Sequence, residues 1–384
     1  MFPESYLEGK LLSQVPTSTV GDFDVVRNSI GTRVNKDGLI EVMDANVPRL
    51  DYSDGGCPKL LTEPSSTNYV KWSNNFDGVG WSIAFPNEYG ISPDGLNNAR
   101  KFVFPQGTSY PQFSFNASDL PIGGNYTQSI FIKKTESSSD FELVCCGKTI
   151  TPTDEWQRVE SPLVVDSSSE TSLLTYVIYV PQGAINEILV YGGQVEPQSY
   201  ATSYIPTNGT TATRQADQVK NAGNSSTFNS GSGVLFADVK QEQDQKYPQD
   251  PLESLISLSD GSGSNTLCLG GGYGGVRFTY KNDVMNTGNN IPYNALLQNK
   301  IAVKYDIDTS YMWINGIMMT TRLNFGTFNF SSLQLNYGDD INSFLQGKTK
   351  SIQHYDYLSD LEMEQLTGYD SYSEMTSQFN FNVL

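Results

Sequence analysis

The sequence predicts an all-β protein: two tandem β-sandwich (jelly-roll) domains behind a small N-terminal segment, with one short helix near the C-terminus. Three observations carry this. The 384 residues include 34 Gly and 18 Pro and are 12% aromatic, without the Ala/Glu/Lys/Leu bias that long helices leave. Short apolar or alternating runs recur between turn residues. At 38% hydrophobic the chain also carries enough apolar material for two cores.

In the first half the runs are KFVFP (101–105), SIFIKK (129–134), FELVCC (141–146), LTYVIYV (174–180) and EILVYGG (187–193). The second half continues with GVLFADV (233–239), LESLISLSD (252–260), TLCLG (266–270), VRFTY (276–280) and IAVKYDIDTSYMWINGIMMTT (301–321). Their even spacing favours sandwiches over βαβ folds. In the last stretch, Asn315-Gly316 suits a type I′ turn, which needs positive φ at both central positions, so three antiparallel strands are expected there. Ser359 as N-cap, Glu362 three residues on, Leu358 and Met363 as a hydrophobic staple, and Gly368 as a left-handed terminator predict the helix.

Residues 1–55 contain small strands around Lys36-Asp37-Gly38 but too little apolar material for a core of their own. Residues 56–217 are expected to form the first sandwich and residues 233–384 the second. Between them, within the Gly/Ser/Thr/Asn-rich stretch 207–233, residues 218–232 read as a linker.

The net charge of −18 opposes binding to nucleic acid or an anionic bilayer. No apolar run approaches the roughly 20 residues that span a membrane, and the N-terminal MFPESYLEGK lacks a signal-peptide pattern, so a soluble, cytosolically made chain is expected. Cys57, Cys145, Cys146 and Cys268 show no Cys-x-x-Cys spacing and read as thiols. Cys145 and Cys146, adjacent in a strand-like run, are expected on opposite faces of a sheet. With one histidine, His354, a Ser-His-Asp triad or a multi-histidine metal centre has little to draw on, and His354 between tyrosines reads as structural.

Two further segments are recognisable. RNSIGTRVNKDGLIEVMDANVPRLDY (27–52), followed by CPKLLTEPSSTNYVKWSNNFDGVGW (57–81), resembles a segment common in phage tail and virion structural proteins. YGGQVEPQSYATSYIPTNGTTATRQAD (191–217) resembles the closing strand of the same modules, and the region between, with TPTDEWQRVE (151–160), resembles a carbohydrate-binding-module jelly roll. From Gly233 onward the chain resembles concanavalin A-like or laminin-G-like lectin domains, through YMWINGIMM and HYDYLSDLEMEQLTG. These motifs consist of strand, turn and cap residues, so they speak to architecture more than to activity.

The resemblance implies a bacteriophage virion structural protein: a homotrimeric head or tail fibre or spike, exposed on the particle. Residues 1–55 would attach it to other virion proteins or mediate oligomerisation, and its sandwiches would bind host-surface glycans. Such lectins grip sugars with an exposed aromatic face plus polar readout of hydroxyls. Tyr110, Tyr273 and Trp313 are the candidate ligand-binding residues, Tyr273 because it sits in the glycine-rich LCLGGGYGGVRF (267–278). Trp72 is a further aromatic of this kind, and Trp81 and Trp156 fall at structural positions of the module. Asp306, Asp308, Asp339 and Asp340 are weak candidates for Ca²⁺, the one cofactor considered. No enzymatic activity is expected. The rival readings are a glycan depolymerase, which needs two carboxylates in a cleft, and a capsid-cementing protein without a ligand.

Overall fold

In the computed structural model of the chain, the described residues are 6–12, 19–77, 81–83, 88–104, 113–116, 120, 124–138, 140–165, 174–179, 186–242, 254–261, 265–272, 275–281, 286–291, 294, 296–323, 328–336 and 344–370. Their regular secondary structure is almost entirely strands, with one α-helix, Asp360–Thr367. Two compact units emerge, and their segments interleave. The first takes residues 1–28, 44–64 and 216–384; the second takes 29–43 and 65–215. This division runs differently from the serial boundaries expected at residues 55, 217 and 232. Phe23–Val26 pairs with Gln218–Lys220, and Lys59–Thr62 pairs with Gly347–Tyr355. Residues 218–220, expected in a linker, are thus a strand of the first unit.

The first unit is a sandwich. Its seven-stranded antiparallel sheet runs, in spatial order, Ile317–Leu323, Thr309–Ile314, Asn299–Asp306, Ser232–Gln241, Gly347–Tyr355, Lys59–Thr62 and Arg49–Asp51. A five-stranded sheet faces it, built from Asn286–Ile291, Gly275–Lys281, Thr266–Gly272, Ser254–Ser259 and Ser332–Gln334. Alternate residues of both, among them Leu235, Ala237, Ile301 and Val303 against Ile256, Leu258, Leu267 and Leu269, form one buried core. Asn315 and Gly316, at φ +49° and +84°, make the expected type I′ turn. The helix packs on the other face of the large sheet, closing Met363 over Val234, Phe236, Ala302 and Trp313. Its capping box forms as expected between Ser359 and Glu362. Gly368, expected in the left-handed region, is instead extended at φ −63°. Its glycine character answers crowding: a Cβ on Gly368 would sit 3.0 Å from the Glu364 carbonyl oxygen.

Four charged side chains hold the first unit's segments together from within. Arg27 and Arg49 are wholly buried, and Glu63 and Asp217 are 3% exposed. Asp217 Oδ1 accepts from Arg27 Nη1 at 2.9 Å, and its Oδ2 accepts from Arg49 Nη2 and from the Glu63 backbone N–H. Arg49 Nη1 donates to Glu63 Oε2 at 2.6 Å, and Arg27 also donates to the carbonyls of Asp44 and Val47. Burial by itself disfavours the charged guanidinium of Arg49, but the Asp217 and Glu63 carboxylates outweigh it and raise its pKa.

The second unit is also a sandwich. One sheet runs Glu88–Gly90, Ala99–Phe104, Asn186–Glu196, Asn125–Lys134 and Gln157–Val164; the other runs Lys148–Ile150, Leu143–Cys145, Leu174–Tyr179, Phe113–Asn116 and Trp81–Ile83. Phe102, Ile130, Ile132, Val159, Ile188 and Val190 of the first meet Leu143 and Cys145 of the second in its core. A hairpin, Gly31–Val34 with Ile40–Met43, turns through Gly38 at φ +78° and packs Ile40 against a cluster of Ala99, Tyr191 and Tyr204.

This unit has its own buried polar centre. The Glu196 carboxylate, fully buried, accepts from Ser66 Oγ at 2.9 Å, Thr202 Oγ at 2.6 Å, the Thr202 backbone N–H at 3.1 Å and the Gln194 amide. Arg214 donates to Thr202 Oγ1 and Ser203 Oγ, and Asn68 bridges Val70, Gly193, Val195 and Ile205 backbone groups. All these residues fall inside the recognisable segments 57–81 and 191–217.

Removing one member of a buried ion network strands the others in low dielectric. Asp217→Ala is therefore expected to lower the unfolding free energy by about 3–5 kcal/mol. Urea denaturation measures it, and a loss under about 1 kcal/mol would show that the arginines are adequately held by carbonyls alone.

Candidate functional site

The expected ligand-binding residues do not converge. Trp313 is 1% exposed, between Val234, Phe236, Ala302 and the helix residue Met363. This corrects the expectation of a sugar-stacking ring, because its hairpin strand presents that position to the sheet face the helix covers. Tyr110 and Tyr273 lie outside the described residues. The other tryptophans belong to the framework: Trp81 packs edge-on to Phe76 at 4.8 Å and donates Nε1–H to the Trp72 carbonyl, and Trp156 packs against the Tyr191–Tyr204 cluster.

Of the calcium candidates, Asp339 and Asp340 are likewise outside the described residues. Asp306 caps its own turn, with Oδ1 accepting from the backbone N–H groups of Asp308 and Thr309 at 2.8 and 2.7 Å. Burial opposes the charge on Asp306, yet these hydrogen bonds hold its carboxyl below the usual range. Among the described residues no cluster of three or more His, Cys, Asp or Glu side chains could hold a metal ion.

His354 stacks edge-on against Phe228 at 5.2 Å and meets the Tyr305 hydroxyl through Nε2 at 3.1 Å. Burial pushes its pKa down, and the Asp356 carboxylate opposes this without cancelling it.

The concavity with chemistry to offer lies in the second unit, at the open edge of its sandwich. Lys148–Ile150 and Gln157–Val164 are edge strands of opposite sheets, and residues 151–156 cross between them. The crossing is held at its base, where the Lys134 N–H donates to the Thr153 carbonyl at 2.9 Å and the Lys134 ammonium pairs with Asp140 and Asp154. The result is a cleft of about 440 Å³ lined by Lys148, Ile150, Thr151, Gln157, Arg158, Val159 and Glu160.

Ile150 and Val159 belong to the core and give the cleft an apolar floor. Arg158 is committed: it donates to the Thr202 carbonyl at 2.5 Å and Ser129 Oγ at 2.9 Å, with its guanidinium 5.1 Å above the Phe131 ring. Glu160 accepts from the Ala201 N–H at 3.1 Å. The side chains of Lys148, Thr151 and Gln157 have no hydrogen-bond or ion-pair partner among the described residues. An ammonium, a hydroxyl and a carboxamide therefore face the cleft over an apolar floor, the donor set that reads sugar hydroxyls and carboxylates.

Among the described residues that line this cleft there is no aromatic ring. Reading the sequence for aromatics and carboxylates passed over this site. Its one signal was the segment TPTDEWQRVE (151–160), singled out only as part of a resemblance.

No family model matches the chain, and no curated protein matches it. Solved structures superpose on parts of it. The Ruminococcus gnavus IT-sialidase CBM40 is 20% identical, covering 36% of this chain and 84% of its own, at a TM-score of 0.30. Domains LG4-5 of the mouse laminin alpha1 chain are 9% identical, covering 75% and 92%, at 0.25. The tripod from the baseplate of bacteriophage Tuc2009 is 12% identical, covering 63% and 97%, at 0.21. These likenesses are partial, and the chemistry of the cleft stands on its own residues.

A histidine whose folded-state pKa is depressed binds its proton more readily when unfolded. The folded protein is expected to lose stability as pH falls from about 6.5 toward the folded-state value. Thermal melts between pH 7.5 and 5 measure this against His354→Gln, which should show a smaller decline; equal slopes would remove His354 as the cause.

Proposed function

We propose that this chain is a non-enzymatic adhesion subunit of a virion that binds an acidic host-surface glycan in the cleft between Lys148–Ile150 and Gln157–Val164. The observation that carries the reading is the uncommitted trio of Lys148, Thr151 and Gln157 over Ile150 and Val159. On a chain of net charge −18, a lysine without an ion pair in a cleft favours a ligand that brings its own carboxylate. Gln157 and Thr151 would read hydroxyls, and the apolar floor would take the C–H face of a sugar ring.

The depolymerase reading has less support. Acid–base glycoside hydrolysis needs two carboxyl groups flanking the scissile bond, and Glu160 is the one carboxylate among the described residues that line the cleft. A shallow, ring-free cleft implies weak binding per site. Several copies on one particle turn such contacts into effectively intramolecular ones. In this reading the subunit is a homotrimeric fibre or spike, made in the host cytoplasm and exposed on the particle surface. Its N-terminal segment joins other virion proteins.

The test is an array of sialylated and uronic-acid oligosaccharides together with whole-cell binding, run with and without calcium while released reducing sugar is monitored. Binding without sugar release is expected, and Lys148→Ala should weaken it roughly tenfold or more, the worth of a charge-assisted hydrogen bond. Release of reducing sugar would establish a depolymerase. Absence of any binding would leave a capsid-cementing role, and undiminished binding by Lys148→Ala would move the site elsewhere.

A further inference from the structure

The hairpin that leads into the cleft closes on two residues, Cys146 and Gly147, at φ +53° and +73°. These are the central positions of a type I′ turn, which favours Asn, Asp or Gly at the first of them. A cysteine there holds a strained left-handed backbone. Strand alternation alone would send Cys145 and Cys146 to opposite faces, the arrangement expected from the sequence. The left-handed turn overrides it: both side chains enter the same interior cluster, with Cys145 fully buried and Cys146 7% exposed. Their sulfurs lie 3.4 Å apart.

We propose that Cys145 and Cys146 are a modification site, a vicinal dithiol that closes to a disulfide by exchange with a low-molecular-weight disulfide such as oxidised glutathione. Cys146, the more exposed of the two, attacks first. Its thiolate displaces one small thiolate from the reagent and leaves a mixed disulfide. The Cys145 thiolate then attacks the Cys146 sulfur and expels the second small thiolate. The protein loses two protons and two electrons, and the small disulfide becomes two thiols. Burial, and after it the neighbouring Cys146, pushes the Cys145 thiol well above its ordinary pKa. Cys145 therefore rests as a thiol until the reagent engages Cys146. The sulfurs close from 3.4 Å to about 2.05 Å, a movement the turn must absorb.

That movement reaches the cleft. Cys145 is the register partner of Lys148, and Leu143 is that of Ile150. Directly paired residues share a face of the sheet, so the cysteine and the cleft lysine stand side by side. Closing the ring changes the setting of Lys148. This second part deepens the binding reading given above and rests on it for its biological meaning, but not for its detection.

The experiment uses the full chain carrying Cys57→Ser, which removes the exposed thiol. The protein is equilibrated with oxidised glutathione or with a phosphine reductant, alkylated, and mapped by mass spectrometry. Expected after oxidation is a peptide spanning 145–146 that has lost two hydrogens, resists alkylation and carries no glutathione. Free alkylatable thiols, or a persistent glutathione adduct, would overturn the site. Cys146→Ser should abolish the two-hydrogen loss while leaving Cys268 unchanged; closure with another cysteine in that variant would also overturn it. The acetylation rate of Lys148 by an N-hydroxysuccinimide ester, read in the two states, should differ at least threefold. Equal rates would overturn the coupling to the cleft, whatever the glycan array shows.

Discussion

The first unit depends on four buried charges meeting around one carboxylate. Asp217 receives Arg27 on one oxygen and Arg49 with the Glu63 backbone on the other, so three stretches of chain far apart in sequence converge on two atoms. Desolvating such groups is costly unless each finds its partner in good geometry. That condition admits one arrangement of the segments and penalises neighbouring registers. The β-sandwich around it contributes the bulk of apolar burial, but apolar contacts tolerate slippage and the ion network does not.

The second unit repeats the strategy with different chemistry. Glu196 sits fully buried among hydroxyl, amide and backbone donors, and Asn68 ties backbone groups of Val70, Gly193, Val195 and Ile205. Here also the polar centre joins stretches remote in sequence, 66–68 and 194–214. Each unit thus has a greasy interior that makes it compact and a small polar node that makes it specific. The cleft adjoins this second node through Arg158, which donates to the Thr202 carbonyl, and lies on edge strands, where side chains are left without partners among the described residues. Edge strands expose unpaired backbone and side chains that central strands cannot.

The local signals in the sequence were read well because they act over a few residues. The type I′ turn at Asn315-Gly316, the capping box of Ser359 and Glu362, and the turn at Lys36-Asp37-Gly38 each carry their own cause. The interleaving of the units was not legible, because nothing near Arg27 says that its partner is residue 217. Gly368 is extended, and its lack of a side chain answers the close carbonyl of Glu364, not its own backbone angle. Trp313 lies on a hairpin strand whose outer face is indistinguishable locally from a solvent face, and the helix residue Met363, remote in sequence, is what buries it. The cleft was missed because its donors, Lys148, Thr151 and Gln157, are ordinary residues whose meaning comes from two sheet edges meeting. Cys145 and Cys146 were placed on opposite faces because a period-2 strand was assumed to continue through a turn.

The interleaved path also bears on how the chain comes off the ribosome. Arg27 and Arg49 emerge early, yet the carboxylate that neutralises them is residue 217, and the strand at 59–62 waits for residues 347–349. Almost all of the second unit is translated during that interval. Closing so large a loop is slow, and the early segments must remain open meanwhile. Maturation therefore has a built-in order: the inserted sandwich is free to fold first, while its host stays a set of unsatisfied strands and charges until residues 216–384 arrive. A cell that made such a protein in quantity would run this step against aggregation of the waiting strands, and polar strand-edge residues such as Lys59 and Arg49 would keep those strands soluble.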